Sequence, residues 1–269
     1  MTPEREREPK LRLGGMALRN GLLVHGPTHW AAAIRTRDGA IRVASGPKPD
    51  LGARVAGRVP GVRGVAKLAE ALAVIPLVKR ALPDAQLPMQ DPKTLGAMAG
   101  AAAAGRAVRA AGPRTVAREM AVAGMSMLPA LFALRGGDLA SYHGVEHKAI
   151  AAYEQDEDAA AAEKEHDRCG SNLVAPMLAS AAVGNAAIRR TRLRGPAAEG
   201  AVALGSVAVA VEIFAWSERH PDSRLARLLR RPGHQIQRTV GTREPSAEQL
   251  EVGRAALDEI LRVEGAERA

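Results

Sequence analysis

Cysteine, aromatic residues and lysine are all scarce in this chain. Cys169 is the single cysteine among 269 residues, so an intramolecular disulfide framework is excluded and a reducing compartment is the expected setting. Two Trp, two Tyr and two Phe are the only aromatic residues. Ala, Val and Leu must therefore fill the core, and RNA recognition through rows of stacked bases has no platform. No phosphate-cradling glycine loop, Walker motif or dinucleotide fingerprint occurs. Long apolar runs are few: Met120–Leu134 is uncharged over 15 residues, Gly170–Ile188 over 19, and Gly200–Ser217 covers 18 with Glu212 inside. A spanning helix takes about 20 mostly apolar residues. All three are marginal by that measure, and the mean hydropathy of −0.12 is low for a polytopic protein.

Positive charge is what the chain has in excess. Thirty-eight Lys and Arg face 29 Asp and Glu, a net charge of +9, and 31 of the cations are arginine. Because the arginines are scattered, two explanations stand side by side: a compositional bias that accompanies Ala-rich and Gly-rich chains, and attraction to phosphate on nucleic acid or lipid headgroups. Residues 1–13 alternate Arg, Glu and Lys with no apolar core segment. This reads as a flexible charged N-terminus without a secretory signal, expected to stay in the cytosol.

Residues 14–50 read as a small β unit. Short apolar runs are broken by turn residues, and Asp38-Gly39 between Ala31–Arg35 and Ile41–Val43 is a hairpin signal. Helical spacing takes over from Val62 through Leu77, Leu82 to Pro92 reads as a polar linker, and an Ala-rich helix follows over Thr94–Ala111. Arg106 and Arg109 make that last helix a poor membrane span. Arg189 to Arg194 and Arg219 to Arg231 place cations on both sides of Gly200–Ser217. Such flanks fit a buried helical hairpin, or helices lying on a membrane surface, as well as they fit two spans. Residues 246–263 form a closing amphipathic helix, with Ser246 and Gln249 spaced as a capping box and Leu250, Leu257, Ile260 and Leu261 on one face.

The chemistry concentrates in Tyr142-His143-Gly144-Val145-Glu146-His147-Lys148. His143 and His147 stand four apart, which on a helix puts both imidazoles on one face, a spacing suited to two ligands of one metal ion. Glu146 completes the His-x-x-Glu-His order of inverted zinc peptidases, where the carboxylate is a general base. Composition alone predicts about 0.01 occurrences of that pattern. The bland alternative is a solvated polar helix start with Glu146 and His147 at the surface. His166 and Cys169, three apart, are candidate further ligands, and either would give three protein donors and an open position. Cys169 also reads as a small buried apolar residue. Glu212 is a lone carboxylate in an apolar run, so a cation, a metal, protonation or a solvent edge must account for it. His25 and His29 read as flanks of a turn, and Glu154 to Glu165 as an exposed acidic loop.

In these boxes the chain resembles the YqhQ-like bacterial family, which has no established reaction. The likeness runs through Gly14-Gly15, Gly26-Pro27, Trp30, the Tyr142–Lys148 box, His166-x-Arg168-Cys169-Gly170, Glu212-Ile213, Gln237-Arg238 and Thr242–Pro245. It implies a metal-dependent protein with membrane helices. Met16, Asn20 and His25 depart from the residues usual around the family's first glycines, which removes support for chemistry in that segment.

The combined expectation is a mainly α-helical α+β protein: a small N-terminal β unit, then a helical bundle over residues 60–245 with marginal membrane-type helices, at the cytoplasmic membrane or in the cytoplasm. Its expected function is divalent metal binding, zinc foremost, with His143, His147, His166, Cys169 and Glu212 as candidate ligands and Glu146 as catalytic base of a hydrolase. The alternative is a non-enzymatic membrane-associated scaffold that engages anionic lipid or a ribonucleoprotein partner through its basic surface. Sequence-specific nucleic-acid binding is not expected.

Overall fold

A computed structural model describes residues 10–51, 59, 61–113, 115–135, 137–188, 191 and 195–266. Residues 1–9 of the charged N-terminus and most of the Arg189–Arg194 run lie outside the described residues.

Four strands form an antiparallel meander in the order β1 (Gly14–Leu18), β2 (Gly21–His25), β3 (His29–Arg35) and β4 (Ile41–Pro47). Asp38-Gly39 turns the β3–β4 hairpin as expected, with Gly39 at φ +86°, a conformation that glycine adopts without strain. Because successive side chains alternate, β2 and β3 supply two cores. Leu22, Val24, Ala31 and Ala33 face one side, and Leu23, Trp30, Ala32 and Ile34 face the other. The second face is covered by α2 (Ile75–Ala81), which follows α1 (Arg63–Ala73). Leu82 and Ala85 are buried in that same core, so the stretch read as a polar linker is packed under the sheet.

The first face is covered by α5 (Asp138–Gln155) and the closing helix α9 (Ala247–Ala266). The expected capping box starts α9: the Gln249 side chain accepts from the Ser246 N–H at 3.0 Å, and the Ser246 hydroxyl accepts from the Gln249 N–H. Near its other end, Glu264 is almost fully buried and accepts from the Thr28 N–H, the Thr28 hydroxyl and the His29 N–H, tying α9 to the β2–β3 turn. Residues 10–13 are anchored, contrary to the flexible N-terminus expected there. Leu11 and Leu13 enter the core, and Lys10 donates to the Tyr153 carbonyl and pairs with Asp156.

The remaining helices form a separate layer: α3 (Pro92–Ala110), α4 (Val116–Leu134), α6 (Val174–Ile188) and α7 (Pro196–Arg219), followed by α8 (Arg224–Ile236) and a π-helical turn over Gln237–Gly241. The stretches Val116–Leu134, Gly170–Ile188 and Ala197–Arg219 are each long and apolar enough to cross a membrane, yet only 11–17% of each is buried in the fold. The buried hairpin allowed by the basic flanks is therefore not what forms. Leu128, Phe132, Val183 and Leu204 point outward.

Candidate metal centre

Helix α5 carries the His-x-x-Glu-His box, and its buried face makes the site. Tyr142, Val145 and Ala149 pack on the sheet core, which fixes the helix rotation and turns His143 and His147 to the opposite side. Their ring centroids are 4.4 Å apart. Gly144 between them lets the chain at Arg243 lie directly on the helix. A Cβ there would fall 2.2 Å from the Arg243 carbonyl oxygen, and the Arg243 N–H donates to the Ala140 carbonyl at 2.9 Å.

That close approach brings the Gly241 carbonyl to Nδ1 of His143 at 2.8 Å. His147 Nδ1 meets the Lys164 carbonyl at 2.5 Å. A carbonyl only accepts, so each imidazole donates from Nδ1 and directs Nε2 inward. The inward atoms converge on one thiol: His143 Nε2 lies 3.4 Å from Cys169 Sγ, and the three donor atoms all fall within 4.8 Å of one another. His147 Nε2 is buried with no hydrogen-bond partner among the described residues. The solvated helix start is thereby overturned, since His147 is only 2% exposed and Glu146 half-buried.

The electrostatics divide the two histidines. Burial and the neighbouring His143 ring push His147 down to about 3, outweighing the Lys164 carbonyl, so it is neutral at pH 7. For His143 burial works the same way, but the Cys169 sulfur, the Glu146 charge and the Gly241 carbonyl outweigh it and raise the ring to about 9. Burial raises the Glu146 carboxyl above its ordinary range, opposed by His143, His166 and the Ala17 N–H it accepts. Gly15 lies against the Glu146 side chain, and a Cβ there would sit 2.5 Å from Cγ.

His166 and Glu212 stand apart from this trio. His166 has its ring centroid 5.7 Å from that of His147, but its Nδ1 accepts from the Arg168 N–H and its Nε2 faces Glu154 at 3.5 Å. Glu212 accepts from the Gly61 N–H at 3.0 Å, on the α7 side of the molecule. His25 and His29 flank the Gly26–Thr28 turn as read. The acidic loop is more than a solvated surface: Glu154 pairs with Arg168, and Lys164 supplies the carbonyl that orients His147.

Residues that sequence reasoning did not single out as site residues hold the loop in place. Gln237 is fully buried and clamps the backbone of His166 from both sides, accepting its N–H at 2.7 Å and donating to its carbonyl, while also donating to the Ser171 hydroxyl. Lys148, 4% exposed, pairs with Glu244 at 2.6 Å and donates to the Ala160 carbonyl. The Gly241 and Lys164 carbonyls have no signature in the sequence, because backbone atoms carry no residue identity.

Residues 138–263 match a family described as a protein of unknown function (DUF1385), consistent with the YqhQ-like resemblance. The matched region takes in the His143–His147 box, Cys169, Glu212 and most of α9. No curated protein and no solved structure matches the chain.

Proposed function

We propose, from the premise that residues 138–263 match a family with no assigned reaction, that the protein is a membrane-associated metal-binding protein. In this reading His143 Nε2, His147 Nε2 and Cys169 Sγ hold one divalent ion. One observation carries it: a buried imidazole nitrogen with no partner among the described residues, aimed with a second imidazole at a thiol, each ring oriented by a backbone carbonyl behind it. Carbonyl-oriented histidines are the usual support of metal ligands. Two imidazoles and one thiolate suit zinc, and three protein donors leave a position open. Zinc bound there supplies Lewis acidity. Around it, Glu146 offers a carboxyl of raised pKa one residue before His147, able to hold or release a proton as a hydrolase requires. Gln237 keeps the His166–Cys169 turn in register with the helix. His166 and Glu212 stand outside the three-donor set.

The test is metal content of tag-free protein in detergent, beside His147→Ala and Cys169→Ser. About one equivalent of zinc, lost in both variants, is expected. Absence from the wild type after growth in zinc, or retention in both variants, removes the reading.

The scaffold alternative draws on α8, where Leu225 and Leu228 are exposed beside Arg224, Arg227 and Arg231, a surface suited to the boundary of an anionic bilayer. It predicts lipid binding that falls steeply with salt and survives His147→Ala.

A further inference from the structure

We infer that α3 is a fourth membrane crossing, so that the sheet, α9 and the His143–His147–Cys169 group all lie on one side of the bilayer. The inference rests on the membrane part of the proposed function and not on the metal. Its basis is parity. Among the described residues, three stretches meet the length and composition of a span, all of them between the sheet and α9 in sequence, and three crossings would leave those two on opposite sides. Yet they form one packed body. Val252, Ala256 and Ile260 share a core with Leu22, Val24, Ala31 and Ala33, and Glu264 is bonded to the β2–β3 turn at 2.8–2.9 Å. A bilayer cannot divide a continuous core, so the number of crossings between them is even.

The helix ends identify the missing one. Before α3, the chain is fastened to the sheet: the Arg19 N–H donates to the Gln86 carbonyl, Asn20 bridges the Asp84 carbonyl and the Gln86 N–H, and Arg19 pairs with Asp91 at 3.5 Å. Helix α3 therefore starts at the sheet. Its far end meets the start of α4, where Arg109 grips Glu119 with two nitrogens and Gly105 lies against Val122. Helix α4 returns, and its last residues, Ala133 and Leu134, pack on the sheet core. Helix α6 departs from Cys169 and meets α7 further out, with Gly184 against Val202 and Ser180 donating to the Ser206 carbonyl. Helix α7 comes back to Arg12 and Gly61 through Glu218 and Glu212. Because α4 also packs along α6, the two hairpins share one layer, running out and back twice.

Hydropathy hides α3 because Lys93, Arg106 and Arg109 fall inside it and much of the rest is Gly and Ala. Lys93 lies in its first turn, at the sheet, and both arginines lie within about a turn of its far end, where long side chains reach the interface. Arg109 is neutralised there by Glu119, whose side chain is fully buried. Nearer the sheet, Thr94 to Gly105 carries no charge, and Leu95 and Met98 face outward. Nineteen residues span about 28 Å, close to the roughly 30 Å hydrocarbon core.

Single cysteines introduced as Arg37→Cys, Ala111→Cys, Glu157→Cys, Thr191→Cys and Glu248→Cys in a Cys169→Ser chain, labelled with a membrane-impermeant maleimide in sealed cells and in inverted vesicles, test the arrangement. Residues 37, 157 and 248 are expected to label from one side, and 111 and 191 from the other. If the Cys169→Ser chain does not accumulate, the same cysteines go into the chain that keeps the buried Cys169. Labelling of 111 with 37, while 191 labels from the far side, overturns the fourth crossing and leaves the membrane reading standing. Labelling of 37 and 248 from opposite sides also overturns it. All five on one side removes both.

Discussion

Leu22, Leu23, Val24 and Ile34 in the sheet are fully buried, whereas Leu128, Phe132, Val183 and Leu204 in the helical layer are 54, 50, 64 and 58% exposed. The two regions use the same kinds of apolar side chain, and only one closes them into a protein core. Exposed apolar side chains gathered on one layer mark an interaction surface. On the proposed reading lipid is the partner there, and helices suit it because each satisfies its own backbone hydrogen bonds. The contrast also explains the placement of the polar groups: the His–Cys trio and the Gln237 clamp sit where the two regions meet, held by elements of both.

Side-chain truncations in the two regions are expected to differ most in cost. Ile260→Ala, in the core between α9 and the sheet, is expected to cost about 2–5 kcal/mol, while Val183→Ala on the outer face of α6 is expected to cost well under about 1 kcal/mol. Thermal melts in one detergent, followed by circular dichroism, measure both. Equal losses would mean that the helical layer has a protein partner at Val183.

A charge probes the solvent of each surface. Val43 on β4 and Val183 on α6 are both exposed, 41 and 64%, but the proposed surroundings are water for one and hydrocarbon for the other. Val43→Asp should be nearly silent. Val183→Asp should cost about 2.5–3.5 kcal/mol of insertion and shift the protein out of the carbonate-resistant membrane fraction. Two silent substitutions would place α6 in water.

The smallest effect is a pH dependence confined to the sheet side. His25 is pushed down to about 4, chiefly by burial and then by Lys48. A depressed pKa means that the unfolded chain binds a proton which the folded chain refuses. The neutral ring's contribution is thus fully present above pH 6.5 and is lost as pH falls from 6.5 toward 4. His25→Gln should remove about 1–2 kcal/mol of the stability change across that window, discounted for partial water access. An unchanged slope would leave the acid sensitivity to other groups, His147 among them.

Much of this architecture is legible in the sequence. The Asp38-Gly39 hairpin, the Ser246–Gln249 capping box and the amphipathic closing helix are local signals, and all three form as read. The pairing of His143 with His147 followed from helical spacing, and Cys169, already a candidate donor by sequence, is the one whose donor atom converges with theirs among the described residues. Other features were invisible because they depend on distant partners. Leu82 and Ala85 look like linker residues until the sheet covers them, and the contacts of the His166 ring with Glu154 and Arg168, 12 and 2 residues away in sequence, form only in the fold.

Element types, the His-x-x-Glu-His box and the scarcity of material for disulfides or aromatic stacking were written into the chain, since these follow from periodicity and composition. Tertiary structure alone decided which carbonyls orient the imidazoles, that Cys169 rather than His166 or Glu212 completes the converging trio, and that the sheet and α9 form one body. Those outcomes require groups far apart in sequence to meet within a few ångströms, and such meetings are fixed by packing rather than by local pattern.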